Sequence, residues 1–245
     1  MHQSSFLRMK WFKNNYLSTK NNYKILDVGS CGVNGPYKEI FIDNNFSYCG
    51  LDVEEGPNVD LVPKNIYSWQ EIQDDQFDVV ISGQAFEHIE FFWITMQEIA
   101  RVLKKDGLVC IIAPNGFEEH RYPVDCWRFF SDGMIALARW TNLKIIHAHT
   151  NSAPSLNSHE WFSKDNSDSM LIAKKEYSGK PNFNPISYKC VPLSETEKHH
   201  NFVTYKEYNS PEISHSDQSK RFELPEDFEP SQYLLLNPDV AAAKV

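Results

Sequence analysis

Apolar residues cluster in short runs along the first two thirds of the chain, and each run has the pattern of a buried strand. Continuous apolar runs predict strands that are covered on both faces, as in a parallel sheet. The clearest runs are residues 23–28, 48–51, 77–82 and 108–113. A weaker run at 59–62 stops at Pro63, and two last strands are predicted at 143–147 and 170–173.

Amphipathic segments lie between these runs. Apolar residues recur at helical spacing in residues 5–17, 90–104 and 131–140, which predicts three helices. A serine is expected to cap the first helix and Ser131 the third, while Lys104, Lys105 and Gly107 are expected to end the second. The alternation of short strands and helices predicts a three-layer α/β fold.

The composition is that of an ordinary soluble protein, with 41% hydrophobic and 23% charged residues. A formal net charge of −9 argues against non-specific binding to nucleic acid or to anionic membranes. Five scattered cysteines without a CxxC pair indicate reduced thiols. Because the chain also lacks an apolar signal-peptide core and any run of about 20 apolar residues, we predict a cytoplasmic protein without a membrane span.

The character of the sequence changes near Gly179, where it becomes polar and loses its periodicity. We therefore predict a domain over residues 1–178, an irregular linker over 179–223 and a short helical tail over 224–245. The tail carries a Phe-x-Pro…Tyr-Leu…Asn-Pro-Asp-Val pattern. This pattern resembles a short helical element of bacterial glycosyltransferases and surface-associated repeat proteins; a terminal helix that docks on the domain is the alternative.

A glycine-containing turn follows the first strand and carries the main chemical signal. In Asp27-Val28-Gly29-Ser30, a carboxylate ends the strand and a glycine lets a ligand approach the backbone. A dinucleotide site would need GxGxxG, and Cys31 breaks that fingerprint. Asp52, a little over twenty residues after Gly29, can accept hydrogen bonds from ribose hydroxyls, so a nucleoside-bearing cofactor is expected.

A nicotinamide-dependent oxidoreductase is one alternative that shares the acidic ribose marker. A short-chain dehydrogenase would also need a Tyr-x-x-x-Lys pair well downstream of the first strand. The chain has that spacing only at Tyr16 and Lys20, upstream of the strand. The sequence therefore argues against hydride transfer.

Five stretches together resemble the successive motifs of small-molecule-type class I methyltransferases over roughly residues 1–178. They are Asp27-Val28-Gly29-Ser30, Gly50-Leu51-Asp52-Val53, residues 77–82, Phe86-Glu87-His88-Ile89 and residues 100–108. The resemblance implies a Rossmann-like, mostly parallel sheet with an antiparallel last strand, and S-adenosylmethionine as cofactor. The family's loop is DxGxGxG, whereas the glycines of this chain fall at 29, 32 and 35.

The same resemblance assigns a cofactor pocket. Asp27, Gly29 and Ser30 would line the methionine end, with Gly32 further along the loop. Asp52 would hold the ribose. The remaining positions are Val53 beside the adenine, Asn65 at the adenine amine, and Ser82 and Gln84 on the methionine side.

Two histidines are candidates for the general base that an acceptor carrying a proton requires. His88 follows the fourth motif and His120 begins a loop rich in polar and aromatic residues; a helix-capping or structural role is the alternative for His88. No metal site is expected. In the loop, the predicted substrate-binding residues are Arg121, Asp125, Trp127 and Arg128.

The loop residues have distinct expected roles. The arginines can grip a carboxylate or phosphate, and Trp127 can stack on a ring such as a sugar. The alternative is that Asp125 pairs with an arginine to fix the loop while Trp127 belongs to the core.

The leading hypothesis is an S-adenosylmethionine-dependent methyltransferase that acts on an oxygen or nitrogen of a small molecule or glycan. The tail favours a role in bacterial surface polysaccharide synthesis, with contact to glycosyltransferase machinery. A non-catalytic cofactor-binding or partner-docking module of the same fold remains the alternative, since one fold hosts many activities.

Overall fold

The computed structural model describes residues 3–18, 21–32, 37–42, 45–116, 118–121, 123–150 and 167–181. Its elements are three helices, six strands and two short 3₁₀ helices. The helices are α1 (Gln3–Tyr16), α2 (Phe92–Val102) and α3 (Ser131–Trp140). The strands are β1 (Tyr23–Val28), β2 (Phe46–Leu51), β3 (Phe77–Gly83), β4 (Leu103–Gly116), β5 (Lys144–Thr150) and β6 (Ser167–Lys174). The 3₁₀ helices are Tyr37–Phe41 and Phe86–His88.

The six strands form one sheet in the order β2-β1-β3-β4-β6-β5. Strands β1 to β4 pair in parallel, whereas β6 runs antiparallel to both β4 and β5. The predicted fold class, with a mostly parallel sheet and an antiparallel last strand, is confirmed. Because β1 to β4 are parallel, their carboxyl ends meet at one edge of the sheet, where ligands of such folds bind.

Each face of the sheet is covered by its own apolar cluster. On one face, Met9 and Phe12 of α1 pack with Ile25 and Val79 of the central strands. On the other face, α2 and α3 pack against Leu26, Val80 and Val109. Buried on both faces, β1 and β3 read as continuous apolar runs rather than alternating ones, which explains why these strands were predictable.

Two predicted features of the strands and helices are wrong. The run 59–62 contributes a single bridge between Leu61 and Leu51 rather than a strand. The second helix ends at Val102 instead of at Lys104, because Leu103 turns into an extended conformation and pairs with Phe77 at the start of β4.

The serines do not cap the helices as expected. Ser4 and Ser5 lie inside the first turn of α1, where their hydroxyls bond to Asp168 and Tyr37. Ser131 is the first residue of α3, whose N-cap position is occupied by Phe130.

All described residues belong to one compact unit, Met1–Tyr208. The predicted tail at 224–245 and nearly all of the predicted linker at 179–223 lie outside the described residues, so the domain boundaries stay predictions. Within the described part, no helix is long and apolar enough to cross a membrane.

Candidate functional site

The turn after β1 requires glycine. Gly29 has a φ of +81°, and a Cβ added there would lie 2.3 Å from the Cβ of Ala85. Its N–H and that of Ser30 both donate to the Leu51 carbonyl, at 2.9 and 3.2 Å, which holds the turn against the end of β2. Gly32 donates to the Pro57 carbonyl at 3.3 Å. Residues 33–36, including Gly35 of the predicted loop, lie outside the described residues.

Asp27 is a buried carboxylate at the end of β1. Its side chain is 1% exposed, and its Oδ2 accepts a hydrogen bond from the Tyr48 hydroxyl. Its Oδ1 has no hydrogen-bond partner among the residues that the structure describes, and neither has the buried Oγ of Ser30. Burial raises the pKa of Asp27 to about 7, against the Tyr48 hydrogen bond, which lowers it. The carboxylate therefore lacks a donor or a positive charge on one side.

Asp52 lies at the carboxyl end of β2 and holds the glycine turn. Its Oδ2 accepts from the Cys31 N–H at 2.8 Å, and its Oδ1 accepts from the Val53 N–H at 2.7 Å. Each carboxylate oxygen can accept a further hydrogen bond. The neighbouring Val53 side chain is 54% exposed, an apolar surface next to a half-buried acidic group.

The other predicted cofactor residues have different surroundings. Ser82 is fully buried, and its hydroxyl donates to the Val28 carbonyl at 2.8 Å, tying β3 to β1. Gln84 has a positive φ of 58°, and its Nε2 donates to Asp168 Oδ1 at 2.9 Å. Asn65 lies in an exposed turn, where its side-chain oxygen accepts from the Tyr67 N–H at 2.9 Å.

A buried polar network lies beside Gln84 and was missed in the sequence. Asp168, at the start of β6, accepts a hydrogen bond from Ser4 at 2.8 Å and lies 4.0 Å from the Arg8 guanidinium. Arg8 Nη1 lies 2.5 Å from His149 Nε2. Burial lowers the pKa of Arg8 to about 10, and Asp168 partly opposes that shift. Since α1 and β6 are at opposite ends of the domain sequence, no local pattern could have joined these residues.

Glu87, His88 and His120 meet just beyond β3. Their candidate ligand atoms all lie within 4.8 Å of one another, and the two imidazole rings are 5.0 Å apart. Glu87 is fully buried, and both of its carboxylate oxygens lack a hydrogen-bond partner within the described ranges. Burial raises the pKa of Glu87 to about 8 and lowers the pKa of His88 below its ordinary value. Glu87 was not among the site residues predicted from the sequence, and the sequence pattern gave no sign of this burial.

An internal ion pair fixes the loop that carries His120. Arg128 donates to both oxygens of Asp125, at 2.6 and 2.8 Å, and Asp125 also accepts from the His120 N–H at 2.7 Å. These contacts, led by the Arg128 hydrogen bond, hold the pKa of Asp125 well below its usual range. The pairing of Asp125 with an arginine, which the sequence left open, is present.

Arg121 and Trp127 face outward to different degrees. The Arg121 side chain is 73% exposed and pairs with Glu119. Trp127 is 38% exposed, with its indole N–H donating to the Glu90 carbonyl at 3.1 Å. One edge of its ring packs on Phe92 at 5.2 Å, so the remaining surface can contact a ligand.

Comparisons with known proteins identify the domain. Residues 26–111 match the sequence profile of a family described as "Methyltransferase domain". No curated protein has a sequence that matches the chain.

Solved structures share the fold at low identity. One is 1,6-didemethyltoxoflavin-N1-methyltransferase from Burkholderia thailandensis, solved with 1,6-didemethyltoxoflavin and S-adenosylhomocysteine (TM-score 0.53, 13% identity, covering 71% of this chain and 79% of that one). Another is the YcgJ protein from Bacillus subtilis (TM-score 0.51, 16% identity, 72% and 100%). A third is the cyclase SpnF (TM-score 0.52, 16% identity, 69% and 80%). At these identities the likeness shows the fold alone.

The fold, the turn at Gly29 and the family match agree on the class: residues 26–111 match a methyltransferase domain and lie in a sheet with the strand order and pairing predicted for class I methyltransferases. The predicted methyltransferase resemblance and enzyme class are confirmed for this part of the chain, and the S-adenosylhomocysteine in the Burkholderia thailandensis structure agrees with the predicted cofactor.

Proposed function

We propose that this methyltransferase acts on an oxygen or nitrogen atom of a small molecule or glycan, which is held beside Glu87, His88 and His120. The observation that carries the proposal is the buried Asp27 oxygen, which finds no partner in the described part of the chain. A buried charge without a partner is costly, and the positively charged amino group of the cofactor is the kind of partner it lacks.

The residues around the turn fit the cofactor. Asp27, Gly29 and Ser30 would bind the methionine end, since Gly29 leaves the backbone open and Ser30 Oγ is a second unsatisfied group. Asp52 would accept the ribose hydroxyls with its remaining lone pairs. The exposed Val53 would be covered by the adenine.

The remaining cofactor candidates contribute less directly. Gly32 positions the loop through its bond to Pro57, and Ser82 supports the turn through the Val28 carbonyl. Gln84 still presents a buried Oε1 that has no partner in the described segments, so it can accept a hydrogen bond at the methionine end. The proposal keeps Asn65 as a contact to the adenine amine.

In methyl transfer the protein mainly aligns the acceptor with the methyl group and excludes water from the site. The cofactor supplies a methyl group on a positively charged sulfur. An acceptor that carries a proton must also lose it, and the proposal places this loss at the cluster of His88 and His120. The Asp125–Arg128 pair holds His120 in place for that role.

A saccharide acceptor is supported by two observations. Trp127, whose backbone N–H donates to the Glu87 carbonyl at 3.2 Å, presents part of an indole ring to solvent, and aromatic rings favour the apolar face of sugars. The tail at 224–245 resembles an element of bacterial glycosyltransferases, which favours polysaccharide synthesis in the cytoplasm and contact with that machinery.

Calorimetric titration tests the proposal. Purified protein is titrated with S-adenosylmethionine, S-adenosylhomocysteine and NAD, together with Asp52→Ala and the exposed control Glu55→Ala. We expect micromolar binding of both adenosyl ligands, none of NAD, loss in Asp52→Ala and no change in the control. If no adenosyl ligand binds at millimolar concentration, the enzymatic proposal fails and the docking-module alternative stands.

A further inference from the structure

We propose that Glu87, His88 and His120 form a binding site for one divalent first-row transition-metal ion, such as Zn²⁺, on the acceptor side of the cofactor pocket. Two imidazoles and one carboxylate are a ligand set that binds zinc or iron and leaves coordination positions open. The methyltransferase domain itself does not require this site, so the inference goes beyond the proposed function.

The buried carboxylate is the first support. The Glu87 side chain is fully buried, and neither of its oxygens has a hydrogen-bond partner among the described residues. A carboxylate taken out of water needs a counter-charge or several donors. The charge of Arg128 acts on Glu87, but the Arg128 guanidinium donates its hydrogen bonds to Asp125 and not to Glu87. A divalent cation at Glu87 would provide the missing charge.

The orientation of the two histidines is the second support. His88 Nδ1 lies 2.5 Å from the Val124 carbonyl, and His120 Nδ1 lies 3.1 Å from the Glu118 carbonyl. A carbonyl oxygen can only accept, so both Nδ1 atoms carry the hydrogen, and in the neutral rings Nε2 carries the lone pair. Metal-bound histidines almost always have their second nitrogen held in this way.

The spacing of the ligand atoms is the third support. Glu87 Oε1 and His88 Nε2 are 3.7 Å apart, and one ligand atom from each of the three residues, counting either nitrogen of an imidazole, lies within 4.8 Å of the others. Metal–ligand bonds of about 2.0–2.2 Å in a tetrahedron put ligand atoms about 3.3 Å apart. Modest side-chain rotations would therefore close the site around an ion.

The three proposed ligands are held by different parts of the chain: two lie in one short helix and the third lies in a loop. His88 and Glu87 are adjacent in the 3₁₀ helix that follows β3, and the Cys126 N–H bonds to the Glu87 carbonyl at 2.7 Å. His120 instead depends on the loop held by Asp125. Sequence could not reveal the set, because His120 lies in a different segment and Glu87 gives no sign of its burial.

The ion would also explain how an acceptor hydroxyl becomes a nucleophile, a point that rests on the proposed function. The acceptor oxygen would occupy an open coordination position, and its pKa would fall as the oxygen–metal bond forms. With the ion bound, His88 and His120 would be its ligands and would not act as bases, so the O–H bond would break with release of the proton to solvent. The oxygen lone pair would then attack the methyl carbon, whose bond to sulfur breaks with the electron pair leaving on sulfur.

Zinc titration of the tag-free, chelator-stripped protein tests the site directly. We expect one Zn²⁺ per chain to bind and to raise the melting temperature. Glu87→Gln and His120→Gln should each weaken the affinity by more than about tenfold. The matched control Glu90→Gln changes an exposed carboxylate beside the cluster and should leave the affinity unchanged.

Further variants exclude the remaining explanations. The chain has nine histidines, including the adjacent His199 and His200, so the double variant His199→Gln/His200→Gln should retain binding. Glu87→Gln removes a buried charge and should fold at least as well as the wild type, which its melting curve without zinc will report.

The outcomes are separable from those of the cofactor titration. The metal site is overturned if no zinc binds at micromolar protein and ligand. It is also overturned if Glu87→Gln and His120→Gln both keep the zinc affinity of the wild type. Zinc binding without adenosyl binding would leave the metal site standing and overturn the proposed function. Adenosyl binding without zinc binding would support the proposed function and overturn the metal site.

Discussion

Asp27→Asn is the substitution that isolates the charge at the end of β1. Asparagine keeps the shape of the side chain, and its amide oxygen can still accept the hydrogen bond from Tyr48. What it removes is the negative charge that we propose meets the amino group of the cofactor. The glycine turn and its backbone hydrogen bonds remain intact.

The size of the effect follows from the burial of Asp27. Hydrogen bonds to charged groups contribute about 1.5–3 kcal/mol, so the variant should bind S-adenosylhomocysteine about 10- to 100-fold more weakly at pH 8. In the free protein the pKa of Asp27 is raised to about 7. Binding that needs the ionised form should therefore weaken by about tenfold for each pH unit below 7.

The assay is calorimetric titration with S-adenosylhomocysteine between pH 5.5 and pH 8.5. Two buffers with different ionisation enthalpies report the proton that Asp27 releases on binding below pH 7. Asp78→Asn is the matched control, because Asp78 is the second residue of β3, at the opposite end of the strands, where it accepts from the Lys24 N–H and pairs with Lys104. The wild type and this control should show the pH dependence, and Asp27→Asn should not. A wild-type affinity that is independent of pH, or an unchanged affinity in Asp27→Asn, would refute the role of this carboxylate.

The same carboxylate should lower the stability of the ligand-free protein at high pH. Its folded pKa of about 7 lies above the unfolded value of about 3.9, so the folded state binds the proton more tightly. The associated stability is present below pH 3.9 and is lost as the pH rises to 7, by about 4 kcal/mol in total. Asp27→Asn should therefore raise the melting temperature at pH 8 and have little effect at pH 4. An unchanged melting temperature at pH 8 would show that Asp27 finds a partner in the ligand-free protein.

Three further substitutions test the frame of the site. Gly29→Ala places a Cβ 2.3 Å from a neighbouring side chain at a φ of +81°. It should abolish adenosyl binding and lower the free energy of unfolding in urea by about 2–3 kcal/mol. The control Gly133→Ala in α3 meets no atom within 4 Å and should leave the stability unchanged or raise it. Arg128→Ala removes the charge partner of Asp125, which keeps the hydrogen bond from the His120 N–H, and should lower the free energy of unfolding by about 2–3 kcal/mol. Arg121 is 73% exposed, so Arg121→Ala should stay within about 0.5 kcal/mol of the wild type. Equal losses in the two variants would contradict the role of the ion pair. Lys175→Ala removes a fully buried ammonium that donates to a carboxylate at 2.7 Å, and we expect a loss of about 3 kcal/mol by the same unfolding assay; a loss below about 1 kcal/mol would contradict this.

The fold was predictable because the strands are buried on both faces. Runs such as residues 77–82 carry apolar side chains on consecutive positions, which only a covered strand requires. The end of α2 was not predictable in the same way. Arg101 in its last turn bonds to Glu98, to Asp74 and to two backbone carbonyls, and the pairing of Leu103 with Phe77 begins two residues later, before the lysines. Partners that lie 27 to 32 residues away leave no local signal.

In the candidate site, too, some residues were predictable from local sequence and others were not. Asp27, Gly29 and Asp52 stand at the ends of two adjacent parallel strands, so their sequence spacing already places them together. The network of Arg8 with Asp168 joins the first helix to the last strand across most of the domain, and only the folded chain brings the two together. Burial is equally invisible in the sequence, which gave no sign that the Glu87 carboxylate is shielded from water.

Asp27 and Glu87 give the two halves of the site a common physical property. Each is almost completely shielded from water, each has a pKa raised by burial, and each presents at least one oxygen that has no donor in the described part of the domain. A core selected only for stability would pair or replace such carboxylates, because an unpaired buried charge destabilises the folded state. Their presence, one in β1 and one in the 3₁₀ helix that follows β3, is therefore best explained by ligands. A cationic amino group at Asp27 and a metal ion at Glu87 would each supply the charge that the protein lacks, and each would stabilise the fold when bound.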